Sequence, residues 1–299
     1  MYKIHTIDLY FQAEKHSIGA FLIETEKGPI LIETGPESTW EFLEKGIQNL
    51  GYQVEDIQHV LLTHIHFDHA GAAWKFAKNG AKIYVHPIGI PHLANPEKLW
   101  NSAKMIYTDK MEVLWGTMEA IPEGQLISVD DGDTLDFGDA QIKVWYTPGH
   151  AIHHNAYQLD DIIFTGDVAG VRIGDGPVAP PCPPPDINVE LWKKSIHKLK
   201  NLNPKALYLT HFSLQYNPQE LLTDLEIKID DWANFIKPFY DNQTPSEEIV
   251  PQFMEYTRRQ FLAEGLHSEQ IQTYELANPS WMSVNGLLRY WKLKEQGRI

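Results

Sequence analysis

The sequence predicts an α+β protein built from mixed sheets with helices packed outside them. Three observations carry this. Short apolar runs cluster in two blocks, residues 18–62 and 125–168, separated by a stretch that breaks the β pattern. The order is β-rich, then αβ, then an insert, then β-rich again, which does not fit the regular strand–helix alternation of a doubly wound parallel sheet. Chemistry-bearing residues stand immediately after apolar runs, where strand ends of one sheet edge can bring them together.

In chain order, residues 1–35 read as paired strands. Ile18–Ile23 and Ile30–Ile32 flank a polar connection that ends in Gly28-Pro29, and Thr34-Gly35-Pro36 stops the second strand. Residues 38–50 read as a helix, with Ser38 or Thr39 as its cap and Trp40, Phe42, Leu43 and Ile47 as apolar positions. A buried strand, His59–Leu62, leads into Thr63-His64-Ile65-His66-Phe67-Asp68-His69-Ala70-Gly71, and a helix over residues 72–77 follows. Ala81–Val85 is a further strand.

Residues 88–124 form a helical insertion. Trp100, Tyr107 and Trp115 there supply either a hood over a site or the core of the insert. Strands return at 126–129, 134–137, 141–146, 156–159 and 162–165, parted by Asp131-Gly132-Asp133 and Gly138-Asp139. The proline-rich segment 170–187 is extended and stiff. A helix over 189–202 places Leu191, Trp192, Ile196 and Leu199 on one face. Ala206–His211 is a strand that ends in histidine. From Asn217 onward the periodicity is helical, so the chain divides into a catalytic domain over 1–214 and an α-helical extension over 215–299.

Composition narrows the function. A net charge of -15 argues against a broad nucleic-acid surface, which needs clustered Lys and Arg. The single cysteine, Cys182, allows no internal disulfide, and nothing near it completes a metal site. The N-terminal segment has no apolar core of a signal peptide and no stretch is long enough to span a membrane, so a cytoplasmic protein is expected.

The chemistry lies in the 63–71 stretch. Three imidazoles and a carboxylate within six positions are a ligand density that packing does not require, and both groups suit zinc or iron. Three later strand ends offer more donors: Thr147-Pro148-Gly149-His150, Phe164-Thr165-Gly166-Asp167 and Leu209-Thr210-His211. His153 and His154 are ambiguous and stay outside the ligand set, as does the lone surface His267.

The ordered set His64-x-His66-x-Asp68-His69, His150, Asp167, His211 resembles the ligands of the metallo-β-lactamase-fold hydrolase superfamily. The resemblance covers about residues 16–212. It implies an αββα four-layer sandwich with the site along one edge. It also implies that His64, His66 and His150 hold one ion, that Asp68, His69 and His211 hold a second, and that Asp167 bridges them. The cofactors would be two divalent ions, zinc first, with iron or manganese as alternatives. They would share a hydroxide that attacks a small carbonyl ester, lactone or thioester, with Asp68 or Asp167 orienting it or relaying its proton. The partner is a small molecule rather than a membrane or nucleic acid, and the C-terminal helices offer a lid or a surface for self-association.

Departures bear on the subfamily. Glu33 stands where the family usually has the Asp that braces the metal loop from behind, so a shifted brace is expected. The true β-lactamases often carry Cys or Ser at the position of Asp167. Acylhomoserine lactonases commonly have Tyr shortly after the bridging Asp, where Val168-Ala169-Gly170 stands here, and the pattern that glutathione thioester hydrolases use to hold glutathione is missing. The alternatives are a phosphodiesterase of the same fold or an iron-dependent oxygenase.

Overall fold

The computed structural model of the chain describes residues 2–299. Twelve strands form two six-stranded sheets. The first runs in sequence order: β1 (Lys3–Asp8), β2 (Gly19–Glu24), β3 (Ile30–Ile32), β4 (His59–Leu61), β5 (Lys82–Val85) and β6 (Leu126–Ser128). β1 to β3 pair antiparallel, and β3 to β6 pair parallel. The second holds β7 (Thr134–Asp136), β8 (Gln141–Tyr146), β9 (Asn155–Leu159), β10 (Ile162–Gly166), β11 (Ala206–Leu209) and β12 (Ser213–Gln215). Only its β10–β11 pair is parallel.

The alternation of side chains along each strand explains the layering. On β2, Phe21 and Ile23 enter a core shared with Ile142, Val144, Tyr157 and Phe164 of the second sheet. Ala20 and Leu22 face the other way, into a separate core with Leu43, Ile47 and Phe76. Sheets buried on both faces read as the near-continuous apolar runs of the sequence.

Helices α1 (Trp40–Asn49), α2 (Phe67–Ala70) and α3 (Ala73–Lys78), with the insertion helices α4 (Ile90–Ala94), α5 (Glu97–Tyr107) and α6 (Met111–Trp115), contribute to the outer core of the first sheet. Helix α7 (Val189–Asn201) and the C-terminal helices α8 (Pro218–Asp241), α9 (Ser246–Ala263), α10 (Ser268–Ala277) and α11 (Ser280–Glu295) share a third core with the second sheet. The result is the expected αββα order, with helices at the 88–124 insertion and after residue 217.

Two local expectations are corrected. Leu191 is exposed, because the buried stripe of α7 is Val189, Trp192, Ser195, Ile196 and Leu199; Leu191 is next to Trp192 and so turned about 100° away. Thr39 stands at the N-cap of α1 but makes no side-chain capping hydrogen bond, and the Ser38 hydroxyl donates to the Leu114 carbonyl instead. The Thr39 hydroxyl donates back to the Pro36 carbonyl at 3.0 Å, and a short 3-10 turn over Glu37–Thr39 precedes the helix. No helix among the described residues is long and apolar enough to cross a membrane.

Candidate metal centre

Seven side chains meet at one edge of the two sheets, each delivered by the end of a strand. β4 leads into the turn carrying His64 and His66 and into α2, which holds Asp68 and His69. The β8–β9 connection carries His150, β10 ends at Asp167, and β11 ends at His211. Gly149 sets the first of these turns. Its φ is +134°, and a Cβ there would lie 2.2 Å from the Trp192 Cα, so only glycine lets the chain pass α7 with His150 turned inward.

The donor atoms fall into groups. His64, His66 and His150 form one, Asp68, His69 and His211 another, and within each group the ligand atoms lie within 4.8 Å of one another. His64 Nε2 is 2.8 Å and His150 Nε2 3.1 Å from His66 Nδ1. Asp167 faces both groups: Oδ2 is 3.3 Å from His150 Nε2, while Oδ1 is 3.3 Å from His69 Nε2 and 3.4 Å from His211 Nε2. Asp68 Oδ2 lies 3.4 Å from His211 Nε2 and 3.7 Å from His69 Nε2. Asp167 therefore stands between the two groups, while Asp68 stays with His69 and His211.

The imidazoles are oriented from behind. His150 Nδ1–H donates to the Pro181 carbonyl at 2.9 Å, and His211 Nδ1–H to the Ser17 carbonyl at 2.6 Å. Thr63 Oγ1 donates to Glu33 and so accepts from His64 Nδ1–H at 3.0 Å. His69 Nδ1 lies 3.2 Å from Glu33 Oε1. With their protons on Nδ1, His64, His150 and His211 present bare Nε2 atoms to the centre, which is how imidazole binds a metal. Both ring nitrogens of His69, His211 Nε2 and Asp167 Oδ1 are buried and find no hydrogen-bond partner among the described residues. Buried polar atoms are ordinarily paired, so converging lone pairs and orphaned atoms fit cations.

Electrostatics separate the two groups. Burial pushes His64, His66 and His150 down, to about 3 for His66, leaving neutral ligands ready for an ion. Burial opposes charge on His69 and His211 too, but the neighbouring carboxylates outweigh it and raise both. Burial likewise opposes ionisation of Asp68 and Asp167, and the imidazoles beside them hold both below the usual carboxylate range. An ion on that side would take the place of protons.

Glu33 keeps the brace role despite its extra methylene. It is fully buried and reaches Thr63 and His69 with one oxygen. Two residues set aside in the sequence belong to the site's surroundings. His154 accepts the Asp167 backbone N–H on Nε2 at 3.2 Å and pairs with Thr147 Oγ1 through Nδ1 at 2.8 Å, which fixes the turn under Asp167. His153 is buried near His66, with Nε2 3.8 Å from Asp186. No sequence signal parts these adjacent histidines. Only the turn leading into β9 does, by directing His154 towards Asp167 and His153 to the cavity. Cys182 is buried with its thiol pushed up by burial, away from any ligand cluster among the described residues.

Above the centre lies a cavity of about 810 Å³ whose wall includes His66, Asp68, Asp167 and His211. Tyr107 and Trp115 of the insertion line it, as do Trp281 and Met282 of α11. Trp100 instead packs edge-on against Phe67 and does not reach the cavity wall. The hood is therefore made by two of the three insertion aromatics.

Comparison with known proteins agrees with this geometry. The family model described as the Metallo-beta-lactamase superfamily matches residues 17–211. The metallo-beta-lactamase fold-containing protein ST1585 of Sulfurisphaera tokodaii is 28% identical over 218 residues, which are 69% of this chain and 78% of that protein. Its solved structure superposes with a TM-score of 0.62 at 25% identity, over 78% of this chain and 86% of that one. The family protein TTHA1429 of Thermus thermophilus shares the fold over 98% of this chain and 94% of its own, with a TM-score of 0.64 at 18% identity. An atrochrysone carboxyl ACP thioesterase of Aspergillus fumigatus is 25% identical over 70% of this chain, and an N-acyl homoserine lactonase of Bacillus thuringiensis is 25% identical over 48%. The matches span only 55% and 58% of those two proteins. By the family model and by the fold, the chain belongs to the metallo-beta-lactamase superfamily and is a metal-dependent hydrolase.

Proposed function

We propose that the chain hydrolyses a carbonyl ester, lactone or thioester at a centre of two divalent ions, zinc in the first instance. The observation that carries this is the split carboxylate of Asp167, one oxygen toward His150 and the other toward His69 and His211, on the wall of the cavity. His64, His66 and His150 would hold one ion, Asp68, His69 and His211 the other, with Asp167 between them. Ions so held would supply a nucleophilic oxygen at neutral pH and polarise the substrate carbonyl.

The chain's own groups do the rest. Asp68 borders the cavity and sits against His211 and His69, which places it to take the proton of the attacking water and return it to the leaving group. Phe11, Ile65, Phe67, Leu114 and Trp115 line the cavity and favour an apolar acyl portion. The cavity wall carries Asp186 and Glu275 as well as Lys98 and Lys110 and so is not uniformly basic, which supports a neutral carbonyl compound over a phosphodiester. The thioesterase and lactonase among the relatives fit the same class.

The test is hydrolysis of a panel of aliphatic esters, lactones, acyl thioesters and phosphodiesters by zinc-loaded protein, with and without chelator. Turnover of carbonyl substrates that chelator abolishes and zinc restores is expected. Phosphodiester turnover exceeding that of every carbonyl substrate would reverse the assignment.

A further inference from the structure

Tyr107 closes α5 and stands out among the cavity's polar groups. A buried phenol ordinarily finds a proper hydrogen-bond acceptor. Tyr107 is partly buried, and among the described residues its hydroxyl meets only the Met282 thioether, 3.2 Å away, a weak acceptor. The ring itself is fixed, with Trp115 edge-on at 5.2 Å and Trp281 at 5.6 Å. It lines the same cavity as Asp68, Asp167 and His211. A rigidly held donor without a strong partner, on the wall of a reaction cavity, has the form of a group reserved for a ligand oxygen.

We propose that Tyr107 is a further catalytic residue whose O–H donates to the substrate oxygen that gains negative charge, on the side of the centre formed by Asp68, His69 and His211. In the step it serves, a water oxygen bonds to the carbonyl carbon and the carbonyl π pair moves onto oxygen, where the phenol hydrogen bonds to it. When that pair returns, the bond to the alcohol or thiol breaks and the leaving group receives the proton lost by the water. The phenol donates without giving up its proton. Burial raises it above its ordinary value and the nearby Asp68 charge adds to this, so it stays protonated across the working range. The assignment rests on the hydrolase reading above.

Tyr107→Phe removes the hydroxyl and keeps the ring packing. It is expected to lower kcat ~100- to 1,000-fold with KM within about 2-fold, by the usual effect of one lost oxyanion donor. Zinc content and thermal midpoint should match those of the parent, which a role confined to packing α5 against α11 would also give. A kcat in Tyr107→Phe equal to the parent's would overturn the proposal and leave the phenol as packing. Binding of octanoate to the zinc-loaded proteins, read by tryptophan fluorescence, decides the case if the parent hydrolyses no panel member. That outcome defeats the hydrolase reading, while a several-fold weaker Kd in Tyr107→Phe still supports the donor and an equal Kd overturns it.

Discussion

Glu33 and His69, two fully buried residues on different elements, are joined by a 3.2 Å approach of Glu33 Oε1 to His69 Nδ1. Glu33 also receives the Thr63 hydroxyl, and Thr63 in turn accepts from His64. One carboxylate thus orients an imidazole in each ligand group. Glu33 adopts a positive φ of 65°, a conformation a non-glycine residue holds only when its surroundings fix it.

Glu33→Gln keeps the length and removes the charge. Loss of such a supporting partner typically costs ~10- to 100-fold in metal affinity. The effect should fall more heavily on the ion at His69 than on the one at His64, because His69 contacts the carboxylate directly. Zinc titration with a competing chromophoric chelator resolves the two affinities. Equal affinities in parent and variant would show that Glu33 serves only the fold.

Gly149→Ala should destabilise the protein by more than the ~1 kcal/mol at stake when a glycine conformation suits alanine, because the new Cβ meets the Trp192 backbone. Displacement of the turn also moves His150, so zinc bound per chain should fall. Thermal melting and metal analysis of the same preparation check both parts.

The metal loop was legible because its residues are contiguous: His64, His66, Asp68 and His69 declare themselves by density alone. His150, Asp167 and His211 were legible because each follows an apolar run that becomes β8, β10 or β11. What stayed hidden depends on register and long-range contact. His154 supports Asp167 across a turn, and Tyr107 meets Met282 although the two are 175 positions apart. Strand β1 lies within residues 1–35, which read as paired strands, but no apolar run marks its bounds. Four of the six residues of KIHTID are polar, in keeping with an edge strand of which only Ile7 is buried.

Glu275 gives a pH signature. Burial raises its carboxyl above the ordinary 4.5, although the Ser280 hydroxyl and backbone N–H donate to it. The folded state therefore binds this proton more tightly than the unfolded state. Its contribution to stability is full below 4.5 and is lost as pH rises through the raised value. Glu275→Gln stays neutral, so its thermal midpoint relative to the parent should rise as pH climbs above 4.5. A constant difference across that range would mean Glu275 titrates normally.

The central claim is that Asp167 lies between two ions. Crystals of zinc-loaded protein, measured on both sides of the zinc absorption edge, test it most directly. Two anomalous peaks ~3.5–4 Å apart are expected, the usual spacing of two-metal hydrolases. One should lie among His64, His66 and His150, and the other among Asp68, His69 and His211, with an Asp167 oxygen at each. A single peak at full zinc loading, or two peaks that Asp167 does not join, would contradict the account.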